Sequence, residues 1–205
     1  MAENMLFGAV IPAAGLSSRM GRFKPLLPFG DSTVIETSVG TALSCVDKAA
    51  VILGKRSEEL SKLLSSRFSD KLIIAENRDY ETTDMLASVK IGLCSIGACD
   101  ACFILPADMP GVASEVYTAL ANAFDKDDEV LIPVIGDRKG HPVLISSALI
   151  PRVIAYSGNM GLKGFFKECK VRYIPVDNKG IIIDLDTPED YKNIRNADAR
   201  LTGKA

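Results

Sequence analysis

The feature that most constrains the fold of this chain is a regular alternation between short β-rich apolar runs and amphipathic helical patterns. The apolar runs have the length of buried strands, and the segments between them repeat apolar residues at helical spacing. The runs cover residues 6–13, 49–53, 72–75, 101–105 and 130–133. Alternation of this kind predicts an α/β fold in which helices cover both faces of a parallel sheet.

The pattern changes after Val134, where a polar loop at 136–140 is followed by β-like segments at 142–145, 171–176 and 180–185. We therefore expect a Rossmann-like, doubly wound mixed sheet, mostly parallel with an antiparallel addition. The chain has no internal repeat and no linker-like composition. The sequence predicts a single domain over 1–195 and a flexible C-terminal tail over 196–205.

Polar residues in front of the helical patterns predict where the helices begin. The expected N-caps are Ser32 or Thr33, Ser57, Thr83 or Asp84, Ser114 and Thr187. Thr187 is followed by Pro188 at the first helical position and by Asp190 at the capping-box position.

Composition excludes several classes of function. The 205 residues include 24 Lys and Arg against 26 Asp and Glu, a net charge of −2, without the basic excess of a nucleic-acid binder. No apolar run approaches the roughly 18 residues that a membrane span needs, and residues 1–5 lack the basic start of a secretory signal. The odd number of cysteines, five, does not suggest a secreted disulfide framework, so we predict a cytoplasmic protein.

Three cysteines have the spacing of an iron–sulfur ligand loop. Cys94, Cys99 and Cys102 form a C-x4-C-x2-C run, but the next cysteine lies far downstream. Cys102 also opens an apolar strand, where a buried cysteine commonly acts as a small hydrophobic residue. The distant fourth cysteine and the strand position of Cys102 therefore favour free thiols over a metal or redox centre.

The segment PAAGLSSRMGRFK follows the first predicted strand directly, from Pro12 to Lys24. In an open α/β sheet, ligands bind beyond the carboxyl ends of the strands, where a small-residue turn lets backbone N–H groups approach an anion. Between Gly15 and Lys24 there are basic residues and no acidic one, which suits a triphosphate. The spacing matches neither a dinucleotide fingerprint nor a Walker A loop. The alternative is a glycine-containing surface loop with a solvated basic face.

Acidic residues follow two further predicted strands. Asp108 lies in LPADMP after the strand at 101–105, and Asp184 and Asp186 end the β-like run at 180–185. Carboxylates that converge at one edge can hold Mg²⁺, which prefers hard oxygen ligands and bridges phosphates. Strand periodicity places Asp184 and Asp186 on the same face, so either could be the second ligand. A helix cap or a solvated turn is the alternative for each acid alone.

Four segments together resemble the MobA-like nucleoside triphosphate transferases, and most of all the molybdenum-cofactor cytidylyltransferases. They are PAAGLSSRMGRFKPLLPFG, LPADMPG, GHPVLIS and DLDTPEDY, which occur in this order, and the whole match extends from about Phe7 to Tyr191. The resemblance implies a fold of the nucleotide-diphospho-sugar transferase type. It also implies Mg²⁺-dependent transfer of a nucleoside monophosphate from a triphosphate to a phosphorylated acceptor, with release of pyrophosphate.

The resemblance also implies roles for individual residues. The implied nucleotide-binding residues are Ala13, Ala14, Gly15, Ser17, Ser18, Arg19, Lys24, Asn77 and Ser88, of which Arg19 and Lys24 would act catalytically on the phosphates together with Asp108. The implied metal ligands are Asp108 and Asp186. His141, the only histidine, would contact the acceptor, with an orienting loop hydrogen bond as the alternative.

Ala14 bears on the choice of nucleotide. Similar enzymes that use GTP tend to have a Gly-Gly pair where this chain has Ala14-Gly15, so we predict CTP as the substrate. Molybdopterin is the implied acceptor, although Pro12 and the stretch 81–85 depart from the family pattern. The alternatives are a sugar- or polyol-phosphate nucleotidyltransferase and a nucleotide-sensing protein without turnover. We expect a monomer or a small homo-oligomer.

Overall fold

A mixed β-sheet forms the centre of the structure, a computed structural model that describes residues 5–15, 22–68 and 70–201. Within those residues the sheet has eight strands, and a short hairpin forms a separate two-stranded sheet. The strands are β1 (Phe7–Ala13), β2 (Pro28–Phe29), β3 (Ser32–Thr33), β4 (Lys48–Leu53), β5 (Leu72–Glu76), β6 (Ala101–Ile104), β7 (Val130–Ile135), β8 (Arg138–Lys139), β9 (Val143–Ser146) and β10 (Val171–Pro175). The helices are α1 (Val34–Cys45), α2 (Ser57–Arg67), α3 (Met85–Ser95), α4 (Ser114–Ala123), α5 (Ile150–Ala155), α6 (Gly161–Phe165) and α7 (Pro188–Leu201). Tighter 3-10 turns cover Lys24–Leu26, Ser147–Leu149, Phe166–Glu168 and Lys179–Ile182.

The strand order confirms the predicted mixed, mostly parallel sheet. The order is β10-β7-β9-β6-β1-β4-β5, with β8 paired to β7. β1 lies between β4 and β6 and is parallel to both. β9 runs antiparallel to β6 and β7, which is the antiparallel addition expected from the changed pattern after Val134. Because β1, β4, β5 and β6 are parallel, the loops after their carboxyl ends share one edge of the sheet.

The apolar side chains of β1 show why helices cover both faces of the sheet. Ala9 and Ile11 are fully buried in a cluster with α1, α2 and α4, whereas Val10 is fully buried in the cluster that contains α3, α5 and α6. Successive strand residues point to opposite faces, so an apolar run of this length needs a helical layer on each side. None of the described helices is both long and apolar enough to cross a membrane.

Capping contacts confirm three of the expected helix starts. Thr33 and Glu36 form a reciprocal capping box at α1. Asp84 accepts a hydrogen bond from the Ala87 amide at α3. At α7, Thr187 and Asp190 exchange the expected capping-box hydrogen bonds.

Two expected caps are wrong. α2 begins at Ser57 itself, and the residue at the N-cap position is Arg56, with a φ of 58°. The Ser57 hydroxyl donates a hydrogen bond to Glu76 at 2.6 Å and does not cap the helix. α4 begins at Ser114, after Ala113, and the Ser114 hydroxyl faces Glu115. In both places the serine hydroxyl donates a hydrogen bond to a glutamate side chain and does not accept one from a backbone amide of the first turn.

The β-like segment expected at 180–185 is also wrong. The structure has a 3-10 turn at Lys179–Ile182, followed by residues without regular structure. A β-carbon on Gly180 would lie 1.8 Å from the carbonyl oxygen of Gly111, so this turn packs backbone against backbone. Farther on, α7 continues past Arg195 to Leu201, and the tail over 196–205 stays a prediction.

Candidate active site

Small residues follow β1 where its carboxyl end meets that of β6. The parallel pairing continues past the strands, because Leu105 donates to the carbonyl of Val10 and Ala107 donates to the carbonyl of Pro12. Ala13 and Ala14 are nearly buried, at 6% and 8% exposure. This pairing carries the chain from β6 directly to Asp108, beside the start of the predicted nucleotide loop.

Lys24 lies between the acids that the sequence predicted would converge. Its Nζ is 3.2 Å from Oδ2 of Asp108 and 2.6 Å from Oδ1 of Asp186. The Lys24 side chain is 10% exposed, whereas those of Asp108 and Asp186 are 30% and 36% exposed. Lys24 begins the 3-10 turn Lys24–Leu26, in which Pro25 is the second residue. The structure thus brings together residues that lie 84 and 162 positions apart in the chain.

A backbone contact explains how Asp186 reaches Asp108. The amide of Leu185 donates to the carbonyl of Asp108 at 3.1 Å, and Leu185 itself is fully buried. The close packing of Gly180 against Gly111 brings the preceding turn to the same place. Asp184 is exposed and lines a neighbouring cavity that also contains Asp186.

The charges around Lys24 change its protonation. Burial alone would lower the pKa of Lys24, but the hydrogen bond to Asp186 and the charges of Asp108 and Asp186 outweigh burial and raise the pKa above its usual value. The ammonium group therefore stays charged at neutral pH. A nearly buried ammonium group that stays charged is an electrostatic feature that suits a polyphosphate site.

A cavity of about 170 Å³ opens next to Lys24. It is lined by Ala13, Ala14, Gly15, Lys24, Asn77, Ser88 and Asp108 among others. Asn77 donates to Thr83 at 3.0 Å and to Ser88 at 3.1 Å, and its carbonyl oxygen accepts from the Asp79 amide. Because both hydrogens of the Asn77 amide are engaged, Asn77 orders the wall of this cavity, and the hydroxyl of Ser88 keeps a hydrogen to donate.

The predicted residues Ser17, Ser18 and Arg19 lie outside the described residues. The predicted nucleotide loop is therefore described only at its two ends, up to Gly15 and from Arg22 onward.

His141 lies on the other side of Asp108. Its Nδ1 donates a long hydrogen bond, 3.4 Å, to the carbonyl of Ile104, and its amide donates to the carbonyl of Ile181. Burial lowers the pKa of His141, opposed by the Ile104 carbonyl and the charges of Asp108 and Asp184. The imidazole is therefore neutral at pH 7, with its Nε2 available to accept a hydrogen bond.

Two wider cavities adjoin the Lys24 cluster. One of about 540 Å³ contains Asp108, Asp184, Asp186, Arg138, Lys139 and His141. The other, which we call the methionine groove, has a volume of about 800 Å³ and is lined by Met85, Met160, Phe166, Tyr173 and their neighbours. Lys139 and His141 line both cavities, so the two lie side by side at these residues.

The sequence analysis did not identify Tyr80, Lys139 and Tyr173, which line these cavities. Tyr80 lines the cavity beside Lys24. Its ring packs against Gly54, where an added β-carbon would lie 2.8 Å from a ring carbon of Tyr80. Lys139 contacts the hydroxyl of Tyr173 and lies 4.3 Å from the centre of its ring. The position of Lys139 directly before the Gly-His-Pro turn was the available signal for that residue.

The chain is similar to known transferases along most of its length. The sequence profile of the MobA-like NTP transferase domain matches residues 9–173. The molybdenum cofactor cytidylyltransferase of Escherichia coli (strain K12) is 28% identical over 182 residues, covering 89% of this chain and 92% of that protein. A probable molybdenum cofactor guanylyltransferase of Bacillus cereus (strain ATCC 10987 / NRS 248) is 27% identical, covering 90% and 94%.

Solved structures share the fold. A nucleotidyl transferase from Methanothermobacter superimposes with a TM-score of 0.83 and 25% identity, covering 97% of this chain and 99% of that one. A Mycobacterium tuberculosis H37Rv protein, solved in complex with manganese, superimposes with a TM-score of 0.76 and 22% identity, covering 94% and 98%. The matches extend over the sheet edge that carries Lys24 and Asp108.

Proposed function

Because the chain belongs to the MobA-like NTP transferase domain family and is a nucleotidyltransferase, we propose that it transfers CMP from CTP to the phosphate of molybdopterin. The observation that carries the proposal is the placement of Lys24 between Asp108 and Asp186 beside a cavity at the carboxyl ends of the strands. In the reaction, an acceptor phosphate oxygen forms a bond to the α-phosphorus of CTP. The bond from that phosphorus to the β-phosphate bridging oxygen breaks, and its electron pair leaves with pyrophosphate.

The residues fit this reaction through position and charge. Phosphoryl transfer needs the charge on the leaving phosphates to be neutralised, and it needs no covalent intermediate on the protein. Lys24 provides a buried positive charge, and Arg19 is proposed as a second. Ala13, Ala14 and Gly15 leave room for backbone N–H groups to approach the phosphates.

A divalent cation fits the carboxylates of Asp108 and Asp186. Both contact the same ammonium nitrogen, and each is partly exposed, so water and phosphate oxygens can complete a coordination shell. Mg²⁺ is commonly held by one or two carboxylates together with substrate phosphates. When bound, Mg²⁺ would supply charge neutralisation for the triphosphate. The Mycobacterium tuberculosis protein of the same fold was solved in complex with manganese.

CTP is proposed over GTP because of Ala14. Relatives of this chain include a cytidylyltransferase and guanylyltransferases, so family membership alone does not select the base. The methyl group of Ala14 lines the cavity and packs so closely that a β-carbon on Gly54 would lie 2.9 Å from it. A rigid methyl here narrows the slot against a purine more than against a pyrimidine.

Molybdopterin is proposed as the acceptor on the basis of the cofactor named for the relatives. His141 would contact it, because this residue lines both cavities beyond Asp108. A sugar or polyol phosphate is the alternative acceptor. The cytoplasmic location and the monomer or small homo-oligomer also remain proposals.

Pyrophosphate release tests this function. Purified protein is incubated with Mg²⁺, CTP or GTP, and either molybdopterin or a polyol phosphate. We expect release with CTP and molybdopterin, and Lys24→Ala should lower kcat/KM by about 30- to 1,000-fold, the range for removing one preorganised electrostatic contact. Lys62→Ala, which changes an exposed lysine of α2, is the matched control and should have no effect. Turnover near the wild-type level in a folded Lys24→Ala variant would refute the assignment of Lys24.

A further inference from the structure

Exposed large apolar side chains are concentrated in the methionine groove. Met85, Met160 and Tyr173 are 53%, 51% and 44% exposed, and all three line this groove. The thioether side chains of methionine adapt to a ligand and make favourable contacts with aromatic rings. The groove is concave and mostly apolar, and its volume of about 800 Å³ is within the size range of small-molecule sites. The groove therefore fits a flat ring system better than a hydroxyl-rich chain.

Lysines add positive charge to this apolar groove. Lys139, Lys163 and Lys167 line it, and Lys139 is the one of these that also lines the cavity containing Asp108 and Asp186. The hydroxyl of Tyr173 accepts a hydrogen bond from the Lys139 ammonium, and the ring of Tyr173 lies against the same group. These contacts hold the charge of Lys139 at the junction of the two cavities.

The charges in the cavity beyond Asp108 indicate that Lys139 is placed to contact an acceptor phosphate. Asp108, Asp184 and Asp186 line that cavity and would repel an acceptor phosphate, and the cations that line it besides Lys24 are Arg138 and Lys139. Lys24 is already engaged by Asp108 and Asp186. Arg138 does not line the methionine groove, and Lys163 and Lys167 do not line the cavity beyond Asp108, so Lys139 is the cation at the boundary that a phosphate would cross between them.

We propose, resting on the function above, that the acceptor binds with a fused heterocyclic ring in the methionine groove and with its phosphate on Lys139, which Tyr173 positions. Lys139 and Tyr173 then select the acceptor: the groove accepts the ring, and the lysine directs the phosphate toward the nucleotide. A ring-free polyol phosphate makes only the second contact and binds weakly.

A family of related ligands separates the ring from the phosphate. Riboflavin 5′-phosphate carries a fused ring and a phosphate, riboflavin carries the ring alone, and ribitol 5-phosphate carries the phosphate without the ring. Flavin fluorescence reports binding without turnover. We expect riboflavin 5′-phosphate to bind the wild-type protein more tightly than riboflavin, and ribitol 5-phosphate to compete poorly.

Variants at Lys139 then test the phosphate contact. Lys139→Met should weaken riboflavin 5′-phosphate by about 10- to 100-fold, as for loss of one charged hydrogen bond, and leave riboflavin unchanged. Lys139→Arg should restore most of the affinity. Tyr173→Phe should weaken riboflavin 5′-phosphate less than Lys139→Met, because it keeps the ring beside the ammonium group. Lys62→Met, which changes an exposed lysine of α2 outside the groove, is the matched control and should have little effect.

The binding experiment tests the inference and the turnover experiment tests the proposed function, so either can be refuted without the other. Equal losses for riboflavin and its phosphate in Lys139→Met, an equal or larger effect in Lys62→Met, or equal binding of ribitol 5-phosphate would overturn the inference. So would a wild-type protein that does not bind riboflavin 5′-phosphate. In turnover, Lys139→Met should raise the KM for molybdopterin and leave the KM for CTP unchanged. A wild-type protein that binds the flavin as expected but never releases pyrophosphate would refute the proposed function alone.

Discussion

Gly180→Ala tests how the backbone places Asp186 in the site. The added β-carbon would lie 1.8 Å from the carbonyl oxygen of Gly111 and 2.2 Å from its carbonyl carbon, whereas ordinary contact begins at 3.4 Å. The atoms that meet are backbone, so no side-chain rotation relieves the overlap. The turn at Lys179–Ile182 must therefore move away from Gly111 by more than an ångström.

The displacement should affect activity more than stability. Overpacking of this kind destabilises by about 1 to 3 kcal/mol. Asp186 follows this turn closely in the chain, so the displacement strains the hydrogen bond from Leu185 to Asp108 that positions Asp186. A misplacement of about 1 Å at a reacting centre lowers turnover by roughly 100-fold. We therefore expect a folded protein with kcat reduced by about two orders of magnitude.

Gly111→Ala is the matched control from the other side of the same contact. Its β-carbon would lie 3.4 Å from the α-carbon of Gly180 and 3.3 Å from a side-chain atom of Ile194, which can give way. Urea unfolding and pyrophosphate release are measured for both variants, at a temperature where each remains folded. Wild-type turnover in Gly180→Ala, or equal losses in the two variants, would refute the claim that this contact positions Asp186.

Three further predictions concern other parts of the chain. Glu36→Gln should destabilise α1 by about 1 to 2 kcal/mol at pH 7. The hydrogen bonds from Thr33 outweigh the effect of burial, so the pKa of Glu36 is lower in the folded protein than in the unfolded chain. The urea unfolding curves of the variant and the wild type should therefore converge as the pH falls below about 4. Ala14→Gly should shrink a wild-type preference for CTP over GTP of about 10- to 100-fold, and competitive turnover with both nucleotides measures it. Asp186→Asn should abolish Mg²⁺-dependent turnover while Asp184→Asn has a smaller effect, and the reverse order in a Mg²⁺ titration would identify Asp184 as the ligand.

The sequence predicted those parts of the fold that depend on local pattern. The buried run at β1 and the capping box at Thr187 are local signals, and both were confirmed. The sequence also predicted that Asp108 and Asp186 would converge at one edge of the sheet. The strand-end argument holds for Asp108, which follows β6, whereas Asp186 follows a 3-10 turn.

The sequence could not predict features that depend on contacts between distant segments. The isoleucine run at 181–183 resembles a strand, but the close approach of Gly180 to Gly111 determines a 3-10 turn there. The argument that Asp184 and Asp186 share a strand face therefore does not apply. Likewise, Lys139 and Tyr173 lie on different strands, and nothing in the sequence indicates that they pair.

The ion pairs of Lys24 have a consequence for how the protein matures. Lys24 is near the start of the chain and its partner Asp186 lies 162 residues later, so the charged cluster cannot exist while the chain is still being synthesised up to that point. A partly folded or prematurely ended chain can form β1, β4 and β6 and still lack half of the carboxylate pair. Contacts of such large sequence separation form late and slowly in folding. Activity of this protein therefore reports completed folding of the whole chain, and a sheet-based signal such as circular dichroism should recover before turnover does on refolding.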